Sequence, residues 1–254
     1  PFKFEQEISK ILIYHSRSLI ANSLNFDITD YMERYYDFNT DHNLKIMTGI
    51  DYYDNLHEFL LTDSATRKNH ENFENFFGKI FFETEYFSIT PVKKDNDDDP
   101  KHINIKVGDE QDFYAHELGT GIQMLLILFY PMFYYDNAII FIEEPELFLH
   151  PGLQRKFVEI ITNLEDYSKE YGINKNLQFF IATHSNHIID IAESENVSLF
   201  KVRKEPATDK EKTKFFINKF NSGDKEIFDL LGIRYSSLAL ANCIIWVEGP
   251  IDRI

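Results

Sequence analysis

Residues 138–151, with the sequence AIIFIEEPELFLHP, contain the pattern on which the fold class depends. The unbroken apolar run from Ala138 to Ile142 predicts a strand that is buried on both faces, as in a parallel sheet. Glu143 and Glu144 follow at the carboxyl end of that strand, where open α/β sheets bind their ligands. Burying two like charges side by side is costly unless a cation or a proton balances them. A magnesium ion on a nucleotide phosphate would balance one carboxylate, and an attacking water would interact with the other; a solvated acidic loop is the alternative.

The segments on both sides of this stretch predict an α/β fold with a largely parallel sheet and an antiparallel β portion. Downstream, apolar strands alternate with amphipathic helices, which is the pattern of βαβ units. Upstream, apolar spacing predicts helices between residues 51 and 82, and alternation predicts antiparallel strands from 87 to 107. The predicted downstream elements are a helix at 123–130, a long helix from Pro151 to a stop at Gly172, a buried strand at 178–182, a helix at 185–191, strands at 197–202 and 215–217, a short helix at 227–231 and a strand at 243–247.

The composition is that of a folded, strongly acidic domain. The chain has 254 residues, 43% hydrophobic and 15% aromatic, so it can form a substantial core. Its formal net charge of −16 disfavours non-specific binding of nucleic acid by bulk charge. The single cysteine, Cys243, cannot form an internal disulfide and suits a reducing compartment. The apolar run from Met124 to Tyr135 is too short to span a membrane, so we expect a cytoplasmic protein with no membrane partner.

Two further segments carry groups that suit phosphate binding. The sequence LGTGIQ at 118–123 places a glycine turn at the start of a predicted helix, where backbone amides and the helix dipole attract anions. Thr183-His184-Ser185 follows the predicted strand at 178–182, and a histidine in that place can hydrogen-bond a phosphate. An ordinary glycine turn and a structural histidine are the alternatives. The order of glycine turn, acidic strand end and histidine is more specific than any one of these signals.

A P-loop is missing from the sequence. Its pattern is Gly-x-x-x-x-Gly-Lys-Ser/Thr, because bare amides and a lysine must surround the phosphates. Gly78-Lys79 is followed by Ile80 and has no glycine five positions earlier. The chain begins with Pro1 rather than methionine, so we expect the natural protein to extend upstream. A degenerate ATPase without a P-loop is the competing interpretation.

The last twelve residues contain a second candidate site. The apolar run from Cys243 to Val247 predicts a strand that delivers Glu248 into a turn at Gly249, with Asp252 four residues beyond Glu248. Carboxylates so spaced can hold a divalent metal. A plain strand followed by a turn is the alternative.

The order of these motifs resembles that of the ABC-type ATPases. By that resemblance Glu143 corresponds to the magnesium-associated acid, Glu144 to the residue that polarises the attacking water, and His184 to the switch histidine. The D-loop would run from Leu147 to His150. The residues expected to contact ATP are Gly119, Thr120, Gly121 and Gln123 of the signature loop, which faces the ATP of a second copy, and His150. The chain departs from the family's usual pattern at Gly119, where a serine is usual, and at Glu143, where an aspartate is usual.

The motif Glu-Glu-Pro-Glu-x-x-Leu-His-Pro at 143–151 resembles the corresponding motif of OLD-family ATPases more than that of ABC transporters. The segment around Glu248 resembles the opening of a Toprim domain, a metal-dependent module that cleaves nucleic acid. An ABC-type ATPase followed directly by Toprim is the layout of OLD-family ATP-dependent nucleases, several of which are implicated in anti-phage defence. The resemblance makes Glu248 a catalytic metal ligand, with Asp252 as a second ligand.

The resemblance therefore implies the ATPase part of an ATP-gated, metal-dependent Toprim DNA endonuclease, with ATP and Mg²⁺ as cofactors. It implies a homodimer or larger assembly, DNA bound by the intact protein beside Glu248, and room for a defence-system partner protein or RNA. The alternative is an ABC-like scaffold or sensor that works with a separate effector.

The expected domain layout has three parts. Residues 1–116 would form a helical and antiparallel-strand portion of the ATPase domain. Residues 117–241 would form its core with the signature, Walker B, D-loop and switch-histidine segments, and 242–254 the first strand and turn of Toprim. The basic residues from Lys201 to Lys214 alternate with acidic ones, which favours a solvated loop over a track for DNA. We expect the 254-residue chain alone to be inactive.

Overall fold

The computed structural model describes residues 9–13, 44–47, 52–92, 102–109, 112–174, 176–191, 197–205 and 214–220. The chain forms two compact units, Pro1–Thr183 and His184–Ile254. The elements predicted at 227–231 and 243–247 lie outside the described residues, as do Glu248 and Asp252. The division into 1–116, 117–241 and 242–254 stays a prediction.

The elements alternate between strands and helices along most of the chain. The strands are β1 (Ser9–Ile13), β2 (Leu44–Met47), β3 (Phe87–Val92), β4 (His102–Val107), β5 (Phe113–Tyr114), β6 (Asn137–Glu143), β7 (Asn176–Ala182), β8 (Leu199–Glu205) and β9 (Lys214–Phe220). The helices are α1 (Tyr52–Leu60), α2 (Ser64–Phe81), α3 (Thr120–Phe129), α4 (Pro131–Tyr134), α5 (Pro151–Thr162), α6 (Leu164–Tyr171) and α7 (Asn186–Ile191). Short 3₁₀ turns span Ala115–Glu117 and Pro145–Phe148.

A parallel sheet with the strand order β2-β1-β6-β7 organises the first unit. The strand β6 is flanked on both sides, with Phe141 opposite Leu12 of β1 and Phe180 of β7. A second, antiparallel sheet has the order β3-β4-β5. The predicted fold class, α/β with a parallel sheet and an antiparallel portion, is confirmed. The pairing of β1 and β2 with the central sheet was not foreseen, because a short apolar run does not reveal its partners.

The strands predicted at 138–142 and 178–182 correspond to β6 and β7. The prediction that the strand at 178–182 is buried is wrong. Its residues alternate between exposed and half-buried, and Phe180 is 49% exposed. Among the described strands β7 ends the sheet order, so only its β6 side is paired. In β6 the alternation is between buried and half-buried, which means that one face is fully covered. An apolar run predicts a strand but does not reveal its place in the sheet.

The long helix predicted from Pro151 to Gly172 is in fact two helices. Asn163, with φ −113° and ψ 33°, separates α5 from α6, and its side-chain amide donates to the Glu159 carbonyl at 2.7 Å. The predicted stop is confirmed, because Gly172 adopts the left-handed conformation (φ 74°) after α6.

Aromatic side chains fill the core between the helices. Phe76 of α2 is fully buried and contacts the rings of Phe129, Phe133 and Tyr171. The same helix is joined to its neighbours by polar contacts: His70 Nδ1 lies 2.7 Å from the Tyr134 hydroxyl, and Glu74 accepts from the Ile89 amide at 2.8 Å. The core therefore fixes α2 against both α4 and β3. The helices predicted between residues 51 and 82 are confirmed.

In the second unit β8 and β9 form an antiparallel hairpin. The prediction of a solvated loop from Lys201 to Lys214 is wrong for residues 201–205, which belong to β8. Charge alternation misled here because the side chains of both strands are mostly exposed, so a strand of the hairpin tolerates charge as readily as a loop does. Residues 206–213 lie outside the described part of the chain.

Candidate nucleotide site

The acidic turn, Glu143 to Glu146, leaves the carboxyl end of β6 through a strained residue. Glu143 is exposed and Glu144 is half-buried. Glu144 has φ 45° and ψ 56°, the left-handed conformation that residues other than glycine seldom adopt. Pro145 follows directly and disfavours helical backbone at the residue before it. A strained carboxylate residue at a strand end is a feature that clusters at functional sites.

Hydrogen bonds attach the acidic turn to the end of the neighbouring strand. The Glu144 amide donates to the Ala182 carbonyl at 2.7 Å. The Thr183 hydroxyl donates to Glu146 Oε2 at 2.8 Å. Within the turn, the Leu147 amide donates to the Glu144 carbonyl at 3.1 Å. Sequence reasoning missed Glu146 and Thr183, because no local pattern links residues 37 positions apart.

The glycine turn at the start of α3 packs against the segment that follows the acidic turn. A Cβ on Gly121 would lie 2.9 Å from the Phe148 carbonyl oxygen and 3.3 Å from Leu153 Cδ1. Only glycine allows so close an approach. A Cβ on Gly119, by contrast, would meet no atom within 4 Å. The structure thus brings together two of the segments that the sequence singled out, and leaves Gly119 open at the start of α3.

Gln123 and His150 hold these segments in shape. Gln123 is buried, and its amide nitrogen donates to the Leu118 carbonyl at 2.6 Å. The exposed His150 caps α5, with Nδ1 accepting from the Gly152 and Leu153 amides at 3.1 Å and 3.4 Å. These observed roles are structural, and contact of either side chain with ATP stays a prediction. Pro151, which follows His150, is a recognisable start signal for a helix, since proline is favoured at the first helical position.

His184 is exposed and is the first residue of the second unit. The next residue, Ser185, precedes α7 and caps it: its hydroxyl accepts from the His187 amide at 3.2 Å, and its carbonyl accepts from the Ile189 amide at 3.2 Å. The helix predicted after the histidine is confirmed.

The carboxylates of the acidic turn suit a magnesium–nucleotide complex. Among the described residues, no three His, Cys, Asp or Glu side chains are grouped to hold a metal. Magnesium usually takes one or two carboxylates and completes its shell with phosphate oxygens and waters. Glu143 and Glu144 supply that number of carboxylates.

None of the helices in the described ranges is long and apolar enough to cross a membrane.

A family profile described as "AAA domain, putative AbiEii toxin, Type IV TA system" matches residues 12–190. The match starts within β1 and ends within α7, so it includes the glycine turn, the acidic turn and the Thr183-His184-Ser185 segment. The chain belongs to this family. It is therefore an ATPase domain of the AAA type, and such domains bind ATP and typically Mg²⁺. No match was found among curated proteins.

Solved structures of SMC ATPase heads are among those that match the chain. One of them comes from work on ATP-driven dimerization and DNA stimulated activation of SMC ATPases. It is 12% identical to this chain with a TM-score of 0.44, and the alignment covers 71% of this chain and 97% of that chain. The SMC head domain from Thermotoga maritima is 16% identical with TM-score 0.38, covering 77% and 61%. A head bound to the C-terminal domain of ScpA, derived from Pyrococcus furiosus, is 15% identical with TM-score 0.37, covering 60% and 35%. With TM-scores this low, the likenesses support no conclusion about function.

Proposed function

We propose that this chain is the ATPase part of an ATP-gated, metal-dependent DNA endonuclease of the OLD type, active in bacterial defence against phage. The observation that carries the ATPase site is the left-handed Glu144, which follows β6 and donates its amide to the Ala182 carbonyl at the carboxyl end of β7. Membership of an ATPase family supports the reaction, and the link of that family to a toxin–antitoxin system is consistent with a role in defence.

In the proposed mechanism Glu143, Glu144 and His184 have separate tasks. Bound ATP with magnesium supplies the phosphoryl group that is transferred to water. Glu143, exposed at the strand end, ligates the magnesium. Glu144 orients the attacking water and accepts its proton, which is the work of a general base. His184 donates a hydrogen bond to the terminal phosphate.

The glycine turn serves a second copy of the chain. Gly119 is exposed and open around its Cβ position, and it directly precedes the first residue of α3. Such a helix start attracts anions through its amides and its dipole. In the proposed dimer these groups bind the phosphate of ATP held mainly by the partner. ATP binding therefore joins two copies, and hydrolysis releases them.

The effector in this proposal is the Toprim segment that opens at Glu248. Glu248 and Asp252 would hold a divalent metal, which would supply the chemistry of two-metal phosphodiester hydrolysis when bound. The proposal depends on the sequence pattern at 243–252. The second candidate is a scaffold or sensor whose effector is a separate protein, as in a toxin–antitoxin pair. The family's link to a toxin–antitoxin system favours this second candidate over a transporter subunit.

The hydrolysis site is tested by Glu144→Gln in the intact protein. The amide cannot accept the proton, so ATP turnover should fall by roughly 10²–10⁴-fold while ATP binding is kept and the dimer is trapped. His184→Ala should lower turnover with little loss of binding. The matched control is Glu165→Gln, which removes one carboxylate from the exposed face of α6 and should leave turnover unchanged. Unchanged ATP turnover in Glu144→Gln would refute the assignment of Glu144 as the general base.

The effector is tested by measuring DNA nicking and phosphate release side by side in Glu248→Ala. If Glu248 ligates the nuclease metal, nicking is abolished while ATP hydrolysis stays near the wild-type rate, because the two reactions use different residues. If nicking survives, the Toprim proposal is wrong and the scaffold is favoured.

A further inference from the structure

We infer that Thr183 and Glu146 form a positioning clamp that keeps Glu144 in its left-handed conformation for hydrolysis. The Thr183 hydroxyl donates to Glu146 Oε2 at 2.8 Å, two residues beyond Glu144. The inference rests on the proposed function, because it assigns Thr183 a role that acts through Glu144 and not on ATP.

The clamp complements a bond made by the backbone. The Glu144 amide donates to the Ala182 carbonyl at 2.7 Å, so the residues on both sides of Pro145 are attached to the end of β7. A sparsely populated backbone conformation persists only where surrounding contacts over-determine it. The bond from Thr183 therefore adds a side-chain attachment at Glu146 to the backbone attachment at Glu144.

Both partners of the clamp are placed where the bond can be effective. Thr183 and Glu146 are half-buried, so solvent competes less for the hydroxyl and the carboxylate than at an exposed site. An ionised acceptor also makes the bond shorter and stronger than a bond between neutral groups. The clamp is thus a directed contact and not a chance surface pairing.

The loss of this bond should change catalysis more than binding. Misplacing a reacting group by about 1 Å can cost on the order of 10²-fold in rate. In the intact protein, Thr183→Val removes the hydroxyl at nearly constant volume and should lower kcat for ATP hydrolysis about 10- to 100-fold. The KM for ATP and the melting temperature should stay close to wild type. Thr183→Ser keeps the hydroxyl and should restore most of the rate.

Glu146→Ala tests the same bond from its other end and serves if the valine variant is poorly folded. It should lower kcat to the same extent, and combining it with Thr183→Val should cause no further loss, because one bond cannot be removed twice. Likewise, adding Thr183→Val to Glu144→Gln should not lower the residual rate, because the clamp acts only through Glu144.

The outcomes separate this inference from the proposal on which it rests. If Glu144→Gln retains full turnover, the proposed hydrolysis site itself is wrong. If Glu144→Gln is inactive but Thr183→Val and Glu146→Ala keep the wild-type kcat, only the clamp is refuted. The clamp is also refuted if Thr183→Val lowers kcat and Thr183→Ser lowers it as much. It is likewise refuted if adding Thr183→Val to Glu144→Gln lowers the residual rate further.

Discussion

Replacing Gly121 with alanine should disturb both stability and hydrolysis, because the added methyl group meets the backbone of the segment after the acidic turn. The new Cβ would lie 2.9 Å from the Phe148 carbonyl oxygen, where ordinary van der Waals contact begins at 3.4 Å. A carbonyl cannot rotate away as the end of a long side chain can. Either the start of α3 or the turn Pro145–Phe148 must therefore move, by about half an ångström.

The expected cost follows from two opposing effects. Overpacking a filled site costs about 1–3 kcal/mol, and a backbone neighbour places this case in the upper half of that range. Alanine recovers up to about 1 kcal/mol because it favours helix over glycine. The net loss is about 1–2 kcal/mol of unfolding free energy. For a chain of this size that corresponds to a fall in Tm of roughly 2–8 °C.

The assay is thermal melting of the intact protein, followed by ATP turnover well below the transition. Gly119→Ala is the stability control, since its Cβ meets no atom within 4 Å and only the capping preference for glycine is lost, about 0.5 kcal/mol. Gly121→Ala should melt clearly below this control. Its turnover should also fall while the protein is still folded, because the acidic turn is displaced. Melting of Gly121→Ala within about 1 °C of wild type would refute the close packing of α3 on the turn.

Two further predictions concern stability alone. Asp63 caps α2 by accepting from the Thr66 amide at 2.9 Å, and this bond holds the pKa of Asp63 below its usual value. Asp63→Ala should therefore lower Tm at neutral pH, and the deficit should shrink as the pH falls through the lowered pKa, where wild-type Asp63 is protonated too; a deficit that persists in acid would contradict this. Phe76 is fully buried among aromatic rings, so Phe76→Ala should cost about 3–5 kcal/mol in urea unfolding, and a loss below about 1 kcal/mol would mean that the core is arranged differently.

The parts of the fold that could be predicted from sequence are those set by local physics. The apolar run 138–142 had to form a strand, and the charges that follow it had to lie at the strand's end. Gly172 could be identified as a helix stop because its left-handed backbone suits glycine. The aromatic spacing of α2 predicted a buried face, and Phe76 and Phe77 are buried.

The parts that could not be predicted depend on contacts between distant segments. β7 has as apolar a sequence as β6, yet it lies at the edge of the described sheet, and nothing within the strand encodes that place. The bond between Thr183 and Glu146 appears only when β6 and β7 pair, because that pairing brings their carboxyl ends together. The same holds for Gly121, whose need to be glycine depends on the position of Phe148. The candidate site was thus foreseen as a set of residues but not as a packed arrangement.

Single-turnover hydrolysis of pre-bound ATP tests the central claim most directly, because it observes the chemical step without nucleotide exchange. The intact protein and its Glu144→Gln variant are loaded with ATP, magnesium is added, and phosphate release is followed in time. We predict that both bind ATP with similar affinity, and that the variant releases phosphate at least about 100-fold more slowly. Equal rates of release would show that Glu144 does not act on the attacking water, and the acidic turn would not be the hydrolysis site.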